Sequence, residues 1–539
     1  MVEAASAHTV TPRRFGTGGR RVGVLELLSL PASGLVRTAE SLGMTKQYAS
    51  LTPQSISVWC RRDGHAVTYA TYYGLGDPVR LMPADLDVLF IATTTMVSPL
   101  AYALAKVFRP RGVLCVVGGP HTLAFPDDCR RYFDIVVLDC DETLIRQIVA
   151  GDVPPGSTVC SDAPYHDTPL VEERLAEIKR SAFFAGRPYP GSFIPMLTSM
   201  GCPYTCDFCV DWNNPYRALP LDRLQQDLEF VSENLPRATL GVLDPNFAVR
   251  FDEVLDVFER ISPERRNPYI VESSLSILKP GRMQRLTDTR CAAVTPGIES
   301  WTAYPRKAGV VSMTGRDKML AVVEHLRVLQ RHVPYVGVNF IFGLDDDAGD
   351  EPFEITEEFL HRAPFVWPSV NMPFPFGGTP LFEAVRNDGR LLAPLPFNFY
   401  TMPYLSLVPK HYEPLALLDR MIRIYRAVGS SELLRKRNAS VDYWVGKASF
   451  TLHTFIARWR RRSLEQTRRH LADDAELLAR PRGERARLPA RSGGRYRQQL
   501  GRFAALMSLE ESRPLLTRDT VPAASRRAAG QPIPVRHVV

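Results

Sequence analysis

The sequence predicts an α/β protein: an N-terminal doubly wound parallel sheet, then a partial (β/α)6 barrel, then a mainly helical C-terminal region. Three observations carry that expectation. Short apolar, β-branched runs alternate with helical segments from residue 21 onward. A second alternation, of six units, starts near residue 191, after a stretch broken by proline and glycine. Three cysteines, Cys202, Cys206 and Cys209, fall directly after the first strand of that second series. Runs that are apolar throughout are what parallel strands covered by helices on both faces require.

Residues 1–20 are small, basic and aperiodic, which predicts disorder. The first domain, residues 21–150, opens with the strand "RVGVLEL" (Arg21–Leu27) and the helix "PQSISVWCRRDG". "AVTYATYY", "DVLFIATT" (Asp87–Thr94), "GVLCVVGG" (Gly112–Gly119) and "DIVVL" read as further strands, with helices at "PLAYALAKVFR" and "PDDCRRYF". Residues 151–190, interrupted by Pro and Gly around one charged helical stretch, "LVEERLAEIKR", read as a linker. The barrel, residues 191–384, begins at "SFIPMLTSM" and continues through "ATLGVLD", "YIVESS", "AAVTPGIES", "YVGVNFIFG" and "PSVNMPF". Amphipathic helices such as "LDRLQQDLEFVSEN" separate these strands. Residues 385–539 carry aromatics ("FNFYTMPYLSL"), the helix "LALLDRMIRIYRAV" and an Arg-rich helical stretch expected to cap the barrel mouth.

The composition, 45% hydrophobic and 23% charged, is that of a globular protein. Its net charge of +8 is uneven: from Thr451 onward there are nineteen arginines, no lysines and eight acids, so the body before it is slightly acidic. That argues against nucleic acid as a partner of the body, and the tail reads as a solvated basic face. No apolar run reaches membrane-spanning length and no secretory pattern opens the chain, so a reducing, cytoplasmic location without a membrane partner is expected.

In such a compartment a tight cysteine cluster points to metal or redox chemistry. Three thiols cannot all pair as disulfides. A closed zinc site wants four ligands, usually as two separated pairs, and neither a second pair nor a histidine between Cys202 and Cys209 is present. Three thiolates around a [4Fe–4S] cube would leave one iron open to a small chelating ligand. A structural zinc knuckle is the competing reading.

The cysteine spacing, with Phe208 just before the last cysteine, resembles the signature of the radical S-adenosylmethionine (SAM) superfamily. The order "VVGGPHT", a buried strand and then "DCDET" is similar to the cobalamin-binding domain that precedes many radical SAM barrels. The resemblance implies that Cys202, Cys206 and Cys209 ligate a [4Fe–4S] cluster whose open iron takes SAM. It implies cobalamin contacts from Thr93, Thr94, Gly118, Gly119, Pro120, His121 and Glu142, beyond the carboxyl ends of the strands. His121 is expected as a turn residue or a corrin-edge contact rather than a cobalt ligand. The histidine-donating pattern of other cobalamin proteins is absent, "DGHAV" (Asp63–Val67) having the wrong spacing, and "DCDE" (Asp139–Glu142) stands where the family shows Gly-Glu-Gly-Glu.

At the barrel, "PGIES" (Pro296–Ser300) resembles a family segment, implying that Glu299 and Ser300 bond SAM, and "NFIFGLDDD" places Asn339 on the adenine-contacting strand. "LDPNF" replaces the usual Gly-Gly-Glu, leaving Asp244 or Asn246 to hold the methionine amine, while Asp345–Asp347 read otherwise as a solvated turn. "PFPFGGTPLFE" resembles the Pro-x-Pro-Gly-Thr-Pro segment of cobalamin-linked members, with one glycine more.

The resemblance implies a C-methyltransferase acting on an unactivated carbon of a small molecule. A 5′-deoxyadenosyl radical would abstract hydrogen, methylcobalamin would donate methyl, and a flavodoxin- or ferredoxin-type protein would supply single electrons. A ring-forming or ring-contracting enzyme with the same cofactors is the second reading. A non-catalytic Fe–S or corrin sensor is the third.

Overall fold

The computed structural model describes residues 18–31, 38, 41, 49–165, 168–189, 192–276, 278–302, 313–392, 395–473 and 490–516. The expected N-terminal disorder lies outside these residues, apart from 18–20. Among the described residues no helix is long and apolar enough to cross a membrane.

Two all-parallel, six-stranded sheets organise the chain. The first contains β1 (Arg21–Leu27), β2 (Ala66–Tyr72), β3 (Val88–Thr93), β4 (Leu114–Gly118), β5 (Ile135–Val137) and β6 (Ser157–Val159), in the order β2-β1-β3-β4-β5-β6. Side chains of β1 alternate between two layers: Val22 and Val24 join one core with Trp59 and Ile148, while Leu25 and Leu27 join the other with Leu100 and Phe108. Helices thus cover both faces, which is why its strands read as unbroken apolar runs. Two expectations change. The segment read as a linker supplies the edge strand β6, paired in parallel with β5, besides the helix Leu175–Ser181 in its charged stretch. The helix expected at "PDDCRRYF" is confined to Pro126–Arg130, and a separate short helix, Pro120–Ala124, precedes it, with Phe125 out of helical conformation between them.

The second sheet holds β7 (Phe193–Met196), β8 (Thr239–Val242), β9 (Tyr269–Ser274), β10 (Cys291–Glu299), β11 (Tyr335–Ile341) and β12 (Trp367–Asn371), adjacent in chain order with open edges at β7 and β12. Each strand returns through a helix whose apolar stripe packs inward; on Leu221–Asn234 that stripe is Leu224, Leu228 and Val231. A partial barrel of this kind gathers its loops at the strand C-termini.

The C-terminal region does more than cap the mouth. The helix Trp444–Ala472, 29 residues long, touches the starts of β11 and β12, where His453 packs on Trp367 and Tyr335. Its later turns reach the cavity described below. Arginines there have intramolecular partners: Arg468 pairs with Asp419 and Arg461 with Glu465.

Candidate functional site

The cysteine loop is rooted by its own backbone. Gly201 sits at φ +67°, and a Cβ there would stand 2.3 Å from the Pro215 carbonyl oxygen, so glycine is required. The Cys202 N–H donates to Asn214 O (3.2 Å), Cys209 N–H to Cys206 O (3.1 Å) and Trp212 N–H to Cys209 O (3.0 Å), closing the loop. Cys202 and Cys206 are buried, Cys209 half-buried, and no cysteine of the chain is disulfide-bonded. Among the described residues no three Cys, His, Asp or Glu side chains converge on a single-ion site. A multi-iron cluster takes its thiolates on separate irons and does not need that convergence. Phe208 leans on the aromatic cluster of Phe125, Phe382 and Tyr400.

Of the residues expected to hold SAM, two are engaged internally. Asp244 accepts from the Thr198 N–H (2.7 Å) and from the Thr198 and Ser199 hydroxyls, which fixes the chain just before the cysteines. Asn246 donates to Ser274 Oγ (3.1 Å) and accepts from the Ser274 N–H (3.0 Å), tying the end of β8 to β9. Glu299 and Ser300 end β10 at a register shift, and Glu299 takes φ +63°, a left-handed conformation rare outside glycine. Asn339, on β11, pairs in register with Gly297.

Two residues that the sequence did not single out for this role hold that elbow. Lys318, on the helix Gly315–His332, is buried and donates to Ser300 O (2.6 Å) and Thr302 O (2.8 Å). Burial lowers its ammonium to about 8, opposed by the charges of Asp347 and Glu299. Asp347 accepts from the Ser300 hydroxyl and from the Gly343 N–H (3.1 Å); burial raises its carboxyl to about 6. The solvated-turn reading of Asp345–Asp347 is therefore overturned at two of its residues, Asp346 alone being exposed: Asp347 is 1% exposed, and Asp345 forms a two-pronged pair with Arg390 at 2.7 and 3.0 Å.

A cavity of about 1410 Å³ lies between the two sheets, larger than the roughly 300–1,000 Å³ of ordinary small-ligand pockets. Its floor is the carboxyl end of the first sheet at the point where strand order reverses, between β1 and β3. Thr93, Thr94, Gly118, Gly119 and Pro120 line it as expected, joined by Glu26, Ser50, Asp139 and Tyr165. Barrel loops contribute Leu197, Leu243, Asn371 and Phe374, and the C-terminal region contributes Tyr400, Arg460 and Arg495. Glu26 is buried and bonds the Ser50 N–H (2.7 Å); desolvation raises its carboxyl to about 7. A charge inside the otherwise apolar run of β1 was the legible signal for it.

Two expected corrin contacts are absent from the cavity wall. His121 is fully buried beneath it: Nε2 lies 2.6 Å from the Tyr102 hydroxyl, its ring packs edge-on to Phe397, and desolvation lowers it to about 3. Glu142 starts the helix Glu142–Ala150, whose Ile145 lines the cavity, and itself meets Arg62 (3.4 Å) and Arg146 (3.3 Å) instead. Gly119 has a reason of its own, independent of any ligand. At φ +105° its Cβ would stand 2.7 Å from the Thr93 carbonyl oxygen, whereas a Cβ on Gly118 meets nothing closer than 3.8 Å.

The paired glycines after β12 prove to be a junction. A Cβ on Gly377 would lie 2.0 Å from Ala124 O of the first domain, and Gly378 O accepts from Trp212 Nε1 (2.7 Å) in the cysteine loop. One short segment thus presses together the first domain, the cysteine loop and the barrel.

No family model matches the chain. It is 23% identical over 396 residues to bacteriochlorophyllide d C-12(1)-methyltransferase of Chlorobaculum tepidum, spanning 71% of this chain and 84% of the relative. The C-8(2)-methyltransferase of the same organism is 23% identical over 366 residues, 63% of this chain and 77% of the relative. Hopanoid C-2 methylase of Rhodopseudomonas palustris is 24% identical over 243 residues, 41% of this chain and 45% of the relative. The fold matches that of OxsB, a cobalamin-dependent S-adenosylmethionine radical enzyme solved with aqua-cobalamin, with a TM-score of 0.56 at 11% identity over 92% of this chain and 80% of OxsB. The cysteine loop after β7 and the cavity at the reversal point of the first sheet thus go with sequence similarity to methyltransferases and with the fold of a cobalamin-dependent S-adenosylmethionine radical enzyme.

Proposed function

We propose that the chain is a cobalamin-dependent radical SAM C-methyltransferase acting on a carbon of a small natural-product molecule. One observation carries the reading: a single cavity opens both to the ligand-binding end of the first sheet and to the loops of the barrel. A methyl carrier bound below and a substrate bound above would share it. The methyltransferase names of the relatives support the same reaction class.

In this reading Cys202, Cys206 and Cys209 hold the [4Fe–4S] cluster, and Glu299, Ser300 and Asn339 bind SAM. When bound, cluster and SAM supply a carbon-centred radical and the corrin supplies the methyl group. The chain's residues orient and exclude. Asp244 anchors the root of the cysteine loop, Lys318 and Asp347 hold the Glu299–Ser300 elbow, and the apolar side chains of the barrel loops keep water from the reacting carbon. Gly118 and Thr93 offer backbone close to the corrin without side-chain bulk. Electrons come from a flavodoxin- or ferredoxin-type partner.

Protein reconstituted anaerobically should carry about four irons and four sulfides and, once reduced, cleave SAM to 5′-deoxyadenosine. With hydroxocobalamin and substrate it should also form S-adenosylhomocysteine, as a methyl-transfer cycle requires. Stoichiometric tetrahedral zinc in protein that refuses iron would overturn the reading. Turnover with 5′-deoxyadenosine but no S-adenosylhomocysteine would favour ring formation, the activity in the name of another relative, the anaerobic magnesium-protoporphyrin IX monomethyl ester cyclase of Cereibacter sphaeroides.

A further inference from the structure

We propose that the C-terminal wall of the cavity is an anion subsite, where Arg460, His470 and Arg495 receive a carboxylate or phosphate group of the small-molecule substrate. This rests on the methyltransferase reading and adds the substrate class: an amphipathic molecule with an apolar body and an anionic end.

The lining is divided by charge. Its acids, Glu26 and Asp139, belong to the first sheet and the loop after β5; its arginines, Arg460, Arg491 and Arg495, and its histidine, His470, all belong to the C-terminal helices. Two stripes present them. Trp459, Ser463, Gln466 and His470 follow one another at spacings of four, three and four along the helix Trp444–Ala472, which puts them on one face, with Arg460 at its edge. Arg491, Arg495 and Gln498 repeat the pattern on the helix Ala490–Leu500. Polar stripes on amphipathic helices ordinarily face bulk solvent, and here both face a cavity.

Arg491 is neutralised by an ion pair with Asp473. Arg495 instead lies over the Tyr404 ring, 5.1 Å from its centroid, and the Tyr404 hydroxyl accepts from Gln499 Nε2 (3.0 Å). Stacking of this kind fixes the plane of a guanidinium and leaves its edge for a bidentate acceptor. His470 is held below its ordinary value by burial and then by Arg495 and Arg491, with Asp473 opposing, so its neutral imidazole stands beside the two arginines as a hydrogen-bond donor. The lining also includes apolar side chains from both sheets' loops, Leu30, Met96, Leu197, Leu243, Phe374 and Phe376. An apolar body fits there.

A corrin's own phosphodiester has the same chemistry, so the test separates the two sources. It uses the full-length, cluster-reconstituted chain before and after addition of hydroxocobalamin. The probes are 8-anilinonaphthalene-1-sulfonate, an apolar anion, and N-phenyl-1-naphthylamine, its neutral counterpart. The sulfonate should bind once per chain, at least about tenfold tighter than the amine, with and without the corrin. Arg460→Gln and Arg495→Gln should each weaken the sulfonate by about tenfold, leaving the amine's affinity and the thermal transition unchanged. Arg495→Lys should recover part of the loss. Equal affinity for the two probes, or parallel loss of both in the variants, overturns the proposal. So does expulsion of the sulfonate by hydroxocobalamin but not by cobinamide, which lacks the phosphodiester: the anion site would then belong to the corrin. Absence of 5′-deoxyadenosine would sink the catalytic reading alone, because the probe contrast does not depend on turnover.

Discussion

Substituting the two cavity glycines separately distinguishes a glycine kept for the fold from one kept for a ligand. Gly119 adopts φ +105° with ψ −178°, a region open essentially to glycine. Forcing alanine there costs about 1–3 kcal/mol in backbone strain. Its Cβ would also meet the Thr93 carbonyl oxygen at 2.7 Å, a main-chain contact that only a shift of β3 against β4 relieves. Together these put Gly119→Ala at about 3 kcal/mol, which for a domain of this size lowers its thermal transition by roughly 10 °C. At Gly118 the nearest atom to a new Cβ is Val137 O at 3.8 Å, ordinary contact, so Gly118→Ala should melt with the wild type. If the corrin lies against that backbone, the same variant should lose cobalamin in gel filtration while staying folded. The assay is differential scanning calorimetry on apo protein, paired with cobalt content after loading. An unchanged transition in Gly119→Ala would refute the strain argument; full cobalamin retention in Gly118→Ala would move the corrin elsewhere in the cavity.

Replacing Cys202, Cys206 and Cys209 together by alanine should abolish the broad thiolate-to-iron absorption and SAM cleavage, read by spectrophotometry and by 5′-deoxyadenosine formation. Glu299→Ala should weaken SAM by about ten- to a hundredfold in equilibrium dialysis with iron content unchanged. Lys318→Met leaves the Ser300 and Thr302 carbonyls without their donor and should weaken SAM in the same assay, whereas a purely structural Lys318 would shift the melting curve only. Glu26 has a folded-state pKa raised from 4.5 to about 7 by burial, so its contribution to stability is present below pH 4.5 and is lost as pH rises through 7. Unfolding midpoints should therefore fall across that window, and Glu26→Gln should flatten the fall; an identical profile in the variant would remove Glu26 as its source.

Sequence by itself determined the two alternations of strand and helix, because parallel strands buried on both faces have to be written as unbroken apolar runs. It determined the cysteine loop and the glycines at the end of β4, since thiol spacing and φ freedom belong to residue type. It placed Glu299 and Ser300 at the end of their strand. It misread what depends on partners far along the chain. His121 reads as a turn residue or a corrin-edge contact, and only packing shows Tyr102 and Phe397 closing over it. Asp347 reads as a wet turn until Ser300 and the buried Lys318 reach it. Glu142 follows a matching motif but meets Arg62 and Arg146 instead. Only the tertiary structure decided the strand order β2-β1-β3, and with it the reversal point where the cavity opens. Only it turned two helical stripes from the C-terminal region toward that cavity. Local pattern reports what one face of a helix or strand prefers; which face meets which is settled by long-range packing.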